Sequence, residues 1–137
     1  LSYMKVFLDS VTVSLQCSLL VNHMDYVYKI TVTRVVDGDT VDAIVHLGFD
    51  VDLKKRIRLH GIDCPETRTR DKAEKVRGYA AKEFLQGIVD HQKGQLYLQS
   101  MDKGKYGRCV GILYEADFED SINDAMIYEG HAEVYRK

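Results

Sequence analysis

The hydrophobic period of the chain changes near residue 70. Before that point Val41, Ala43, Val45 and Leu47 recur at period 2, and Ile57 and Leu59 alternate with Arg56, Arg58 and His60. Tyr26 to Val36 is rich in β-branched and aromatic residues. Period 2 and that composition predict strands over 26–36, 41–47 and 53–62, separated by turns at Asp37-Gly38-Asp39-Thr40 and at residues 48–52. After it, Ala73, Val76, Ala80, Phe84 and Ile88 recur every three to four residues, and Asp71 with Glu74 three later resembles an N-terminal capping pair. That spacing predicts an amphipathic helix, which Gly78 weakens by about 1 kcal/mol relative to Ala.

Two more strands are expected at 96–101 and 109–114, joined by the polar loop 102–107, and a short helix over 121–129 with Ser121 as N-cap and Gly130 as its stop. Three strands, a helix, two strands and a helix are the order expected of a five-stranded Greek-key barrel of the oligonucleotide-binding type, mainly β with two to three helices. A length of 137 residues suits one such core. No run of about 18 uncharged apolar residues is present to cross a bilayer, so no membrane partner is expected. Val11 to Leu19 alternate strictly, which reads as an additional strand rather than a signal core. Residues 1–24 are therefore expected to form an N-terminal extension, with Met24 a candidate start of the domain proper (25–137). An apolar strand face needs a partner, so the extension is expected to pair with the chain's own barrel or with a second copy, giving a monomer or a strand-exchanged dimer. Without a credible signal segment, an intracellular or phage-encoded protein is the expectation, with secretion the alternative.

The net charge of −2 excludes binding of nucleic acid by bulk charge, but the charge is segregated. From Lys54 to Arg77 nine bases face four acids, whereas Gly111 to Val134 holds seven acids and no Lys or Arg. Two solvated faces explain such runs as well as a ligand does. A polyanion would nevertheless prefer the first. Cys17, Cys64 and Cys109 lack the spacing of a zinc site or a disulfide framework and read as small apolar residues. His60, His91 and His131 share no ligand spacing and read as surface or packing residues.

Three acids fall where strands end: Asp39, Asp63 and Glu66. Hard divalent cations, Ca²⁺ above all, take oxygen ligands from such turns, and Pro65 biases Cys64 toward an extended backbone that fixes its carbonyl beside Asp63. Taken alone, Asp-Gly-Asp is more often a plain hairpin turn. Arg58 leaves an otherwise apolar strand and Arg108 opens one; either is an ordinary strand charge, unless both forks are aimed at one phosphate. Lys105 and Tyr106 would then assist from the preceding loop.

Four strings, V-V-D-G-D-T-V (35–41), R-I-R-L-H-G-I-D-C-P-E (56–66), D-K-G-K-Y-G-R (102–108) and N-D-A-M-I-Y-E-G-H-A-E-V-Y (123–135), resemble the staphylococcal nuclease, or thermonuclease, family in order and spacing. The resemblance covers roughly residues 26–136. It implies a Ca²⁺-dependent phosphodiesterase acting on DNA and RNA, single-stranded or locally open, with little sequence preference and with 3′-phosphate and 5′-hydroxyl products. It further implies that Asp39, Asp63 and the Cys64 carbonyl hold the metal. Glu66 would orient or deprotonate water, Arg58 and Arg108 would hold the scissile phosphate, and Lys105 and Tyr106 would contact the nucleotide. Cys64 stands where the family commonly has Thr, a change that a backbone ligand tolerates. The competing expectation is a barrel that binds single-stranded nucleic acid or protein without cutting; such modules typically lack members of the acidic and arginine set, all of which are present here.

Overall fold

The computed structural model describes residues 26–101 and 108–135; the N-terminal extension and its expected strand, and also Lys105 and Tyr106, lie outside the described residues. The described elements are β1 (Val27–Asp37), β2 (Thr40–His46), β3 (Asp52–Leu59), β4 (Ile62–Asp63), α1 (Lys72–His91), β5 (Gln95–Ser100), β6 (Cys109–Tyr114), α2 (Ile122–Tyr128) and β7 (Glu133–Val134).

Five strands close into a barrel in the order β1-β2-β3-β6-β5, with β1 pairing β5 to complete the ring. Closure depends on the length of β1. Its residues 27–31 pair with β5 while residues 29–37 pair with β2, and irregularities between Val32 and Arg34 and between Val35 and Asp37 bend it from one neighbour to the other. All pairings around the ring are antiparallel except β3 with β6, which meet in parallel only over residues 57–59 of β3. The interior is filled by the alternating residues that the period-2 pattern marks, Ile30, Val41, Ile57, Leu59, Leu96 and Leu98 among them, each 1% exposed or less. This is the five-stranded barrel expected from the order of elements. No helix among the described residues is long and apolar enough to cross a membrane.

Two local expectations are corrected. The third strand does not run on to Ile62: it breaks at Gly61 (φ 75), a conformation open to glycine, and Ile62–Asp63 pair instead with β7 in a separate two-stranded ribbon. The helix is present, but the face it buries is only partly the expected one: Phe84 and Ile88 are partly buried against the core, while the first half of the expected stripe is not. Gly78, Ala81, Leu85 and Val89 turn inward, whereas Val76 is 70% exposed and Ala73 and Ala80 face solvent. Asp71 does cap α1, accepting from the amides of Ala73 and Glu74. At the other end of the chain, Ser121 caps α2 through the Asp124 amide, and Asn123 seats that helix: its Nδ2 donates to the carbonyls of His60 (2.8 Å) and Gly111 (3.2 Å), and its Oδ1 accepts from the Leu113 amide. Asn123 thereby fixes the point at which the chain leaves β3 for the ribbon.

Candidate active site

The β1–β2 turn, the end of β3, the β4 ribbon and the start of β6 converge on one cavity of about 730 Å³, lined among others by Asp39, Arg58, Asp63, Cys64, Glu66 and Arg108. All six of these expected site residues are thus in one place. The register explains part of this: Thr40 stands opposite Arg58 across the β2–β3 ladder, so the turn that carries Asp39 and the strand end that carries Arg58 are neighbours.

Arg58 is the hub. Its Nη1 lies 2.9 Å from Asp39 Oδ2 and its Nη2 lies 3.4 Å from Asp63 Oδ1, so one guanidinium joins two carboxylates that are far apart in sequence. Asp39, only 8% exposed, is further held by the Cys64 amide on Oδ2 (3.0 Å) and the Thr40 hydroxyl on Oδ1 (3.0 Å). A buried carboxylate needs such partners, because ionising it without them costs several kcal/mol. Its own carbonyl accepts from the Leu59 amide at 2.8 Å, which ties the turn to the end of β3.

Cys64 contributes backbone rather than sulfur chemistry. Burial, with the Asp39 carboxylate acting in the same direction, pushes its thiol up to about 12. The reactive thiolate is therefore nearly absent at neutral pH, which leaves the sulfur as packing.

The loop after Cys64 is set by contacts that local sequence patterns do not reveal. Thr67, 7% exposed, donates its hydroxyl to Asp37 Oδ1 at 2.5 Å, and Glu74 Oε1 accepts from the Glu66 amide at 3.4 Å. Glu74 therefore reaches toward Glu66 instead of closing a reciprocal capping box with Asp71. Helix α1 lies directly against this loop: a β-carbon on Gly78 would stand 2.6 Å from the Glu66 carbonyl oxygen, and one on Gly38 2.7 Å from Ala81 Cβ. Asp37, Thr67 and Glu74 were not among the expected site residues; the only signal was that Asp37 and Thr67 flank the acids that were. Tyr135, which places a half-exposed ring on the cavity wall, was missed too, although it ends one of the four strings. His60 is an exposed residue at the same cavity.

A family model described as staphylococcal nuclease homologue matches residues 56–137. The chain belongs to the staphylococcal nuclease family. Among relatives, the thermonuclease of Staphylococcus hyicus is 32% identical over 120 residues, covering 85% of this chain and 65% of that protein. Protein ParB of Escherichia coli is 30% identical over 112 residues (77% and 56%), and the micrococcal nuclease of Shigella flexneri 31% over 113 residues (77% and 57%). The chain thus spans between about half and two thirds of the length of these relatives. In this nuclease-family chain the Asp39 turn lies upstream of the matched segment, yet its carboxylate is bound to Arg58 and to the Cys64 amide, both within that segment.

The donor set can be tested for a metal. Among the described residues no three His, Cys, Asp or Glu side chains gather at one point. What converges is two carboxylates, Asp39 and Asp63, already sharing one cation in Arg58, with the Cys64 backbone adjacent. These are hard oxygen donors, too few for a closed cage and suited to a cation that completes its shell with water and substrate oxygens.

Proposed function

We propose that this chain is a Ca²⁺-dependent nuclease that hydrolyses phosphodiester bonds of DNA and RNA with little sequence preference, leaving 3′-phosphate and 5′-hydroxyl ends. The observation that carries this reading is the Arg58 guanidinium joined to both Asp39 and Asp63 in a cavity that Glu66 and Arg108 also line. Family membership supports it, as do relatives named thermonuclease and micrococcal nuclease. All residues assigned roles lie within 25–137, and the activity is placed in that segment.

Asp39, Asp63 and the Cys64 carbonyl would hold the ion, which when bound supplies positive charge to a phosphate oxygen. Arg58 arrives with its fork already oriented by the two carboxylates. Its Nη1 is held by the Asp39 carboxylate and carbonyl and its Nη2 by Asp63, which leaves other N–H donors of the fork for a phosphate. Arg108 provides a second planar fork for the charge that develops on the phosphoryl oxygens. Glu66 accepts a proton from the attacking water or orients it, from a loop pinned by Thr67 and Gly78. Lys105 and Tyr106 are assigned to the nucleotide from the loop before Arg108. Contacts made to the backbone carry little base information, hence the weak sequence preference, and an unpaired strand brings its phosphates to the cavity most easily.

The test is cleavage of plasmid DNA and of RNA with Ca²⁺, with Mg²⁺ and with EDTA. Cleavage with Ca²⁺ and its loss in EDTA are expected, with Mg²⁺ a poor substitute because it demands stricter octahedral geometry. Full cleavage in EDTA refutes the metal assignment, and binding without cleavage under all conditions favours the non-catalytic barrel.

A further inference from the structure

The cationic charge does not end at the catalytic cavity. Arg68 lines that cavity and is exposed, and the loop that carries it is built rigidly. Thr67 is anchored on Asp37, the Asp71 amide donates to Thr69 Oγ1 at 3.2 Å, and Asp71 caps α1. Arg68 and Arg70 alternate with the anchored residues and are left facing water. Beyond the cap, Lys72, Lys75, Tyr79, Lys82 and Gln86 recur at three- and four-residue intervals, which puts them along one flank of α1, to the side of the buried Gly78, Ala81, Leu85 and Val89. Tyr79 is 46% exposed there although it is large and aromatic.

This flank leads to a second cavity, of about 310 Å³, between α1 and β1, which Gln86 lines together with Arg34 and Lys93. The acid of that cavity, Asp90, is already bound by Gln86 Nε2 at 2.9 Å. The geometry points to a track for a single polynucleotide strand, running from the catalytic cavity past Arg68, along the Lys72–Lys75–Lys82 flank of α1, to Arg34 and Lys93. Spaced lysines with one exposed ring among them match what an unpaired strand offers, since phosphates recur along its backbone and every base has a face that stacks on an aromatic ring. Residues 111–134, with acids and no Lys or Arg, would repel the same strand. Charge complementarity therefore selects the α1 flank. This inference rests on the nuclease reading for the position of the scissile phosphate, but its test is binding.

The experiment compares a Lys72→Gln/Lys75→Gln/Lys82→Gln protein with the parent, both also carrying Glu66→Gln, by fluorescence anisotropy. The ligands are labelled oligothymidylate of about 20 nucleotides, long enough to leave the cavity, and a dinucleotide. Far-UV circular dichroism and thermal midpoint check the fold, since Lys72 and Lys75 are exposed and Lys82 is partly so. The triple variant is expected to lose at least about tenfold in affinity for the long strand. The slope of log affinity against log salt is expected to fall by about 2, at roughly 0.7 for each phosphate that the variant no longer neutralises. Tyr79→Ala is expected to weaken the long strand about fivefold with the slope unchanged, as stacking requires. An unchanged slope and an unchanged preference for the long strand over the dinucleotide would overturn the track. Cleavage by the parent with native Glu66 is read separately: a chain that cuts nothing yet shows these binding changes sinks the nuclease reading and keeps the track.

Discussion

Thr67 and Asp37, 30 positions apart, are joined by a 2.5 Å hydrogen bond from hydroxyl to carboxylate. The residue after Glu66 is thereby fastened to the residue two before Asp39. A single hydrogen bond therefore links the two acidic turns of the cavity.

Replacing Thr67 with Val keeps the shape and removes the donor, leaving a carboxylate oxygen of Asp37 without it. A loss of about 1–2 kcal/mol in stability is expected. With Glu66 less well held, kcat is expected to fall about tenfold while KM changes little. Thr67→Ser, which restores the hydroxyl, is expected to recover most of the rate. Steady-state kinetics of the two variants beside urea melts decide this, and Thr67→Val with parental kcat would remove Thr67 from the positioning of Glu66.

Gly78 sets up a contest between local and tertiary terms. Ala is the better helix former by about 1 kcal/mol. Its β-carbon, however, would sit 2.6 Å from the Glu66 carbonyl oxygen and 2.8 Å from that of Pro65, and main chain yields at a cost of about 1–3 kcal/mol. Gly78→Ala is expected to be less stable than the parent and also slower, because the displaced atoms carry Glu66. A more stable protein with full activity would show that the helix and loop separate freely.

The same glycine explains where sequence reasoning succeeds and where it fails. Strands β1, β2, β5 and β6 were legible within a residue or two, because period-2 burial is a local property and each has one face on the barrel core. Helix α1 was legible as a helix, but its inward face only in part: Phe84 and Ile88 pack against the core, whereas Ala73, Val76 and Ala80 do not. Its apolar residues form more than one partial stripe, and the stripe that turns inward is chosen by where the Pro65–Glu66 backbone can come close, which is at Gly78 rather than at Val76. The expected site residues were visible as strand-end acids and arginines within strings shared with a family. Asp37 and Thr67 were not, because their partnership spans 30 positions and leaves no periodic trace.

Glu66→Gln preserves size and the polar contacts of the loop while removing proton affinity. If Glu66 serves the attacking water, kcat is expected to drop by at least about a hundredfold with nucleic-acid affinity nearly intact. Single-turnover kinetics beside equilibrium binding separate the two quantities. Weak binding with normal turnover would show that Glu66 serves the substrate instead.

Arg58→Lys and Arg108→Lys retain charge but lose the planar fork, so activity is expected to fall in each. Arg58→Lys is expected also to destabilise the fold, since one ammonium cannot reproduce a guanidinium that reaches Asp39 at 2.9 Å and Asp63 at 3.4 Å together. Arg108→Lys is expected to cost activity through loss of the second fork. Values of kcat/KM near that of the parent in both variants would reduce the two residues to ordinary surface charges.

Cys64 gives a prediction in pH. Its thiol is pushed up to about 12 by burial and by the neighbouring Asp39 carboxylate, against an ordinary value of 9.0. At pH 8 only about one native molecule in ten thousand carries the thiolate at this position, so Cys64 is expected to resist iodoacetamide until the protein unfolds. A raised native value means that the folded chain keeps a proton that the unfolded chain gives up first. The stability it contributes is therefore complete below pH 9 and declines as pH rises toward 12, where the unfolded state binds fewer protons than the native one. Cys64→Ala removes the titrating group and is expected to flatten this alkaline decline, although the variant starts from a lower stability because it leaves a small void beside Gly38 and Ala81. Urea melts across pH 8 to 11 for parent and variant measure the difference in slope, and peptide mass spectrometry after native and denatured alkylation measures the protection. Rapid native labelling of Cys64, or identical alkaline slopes in the two proteins, would mean that the thiol is open to water, and with it the wall behind Asp39.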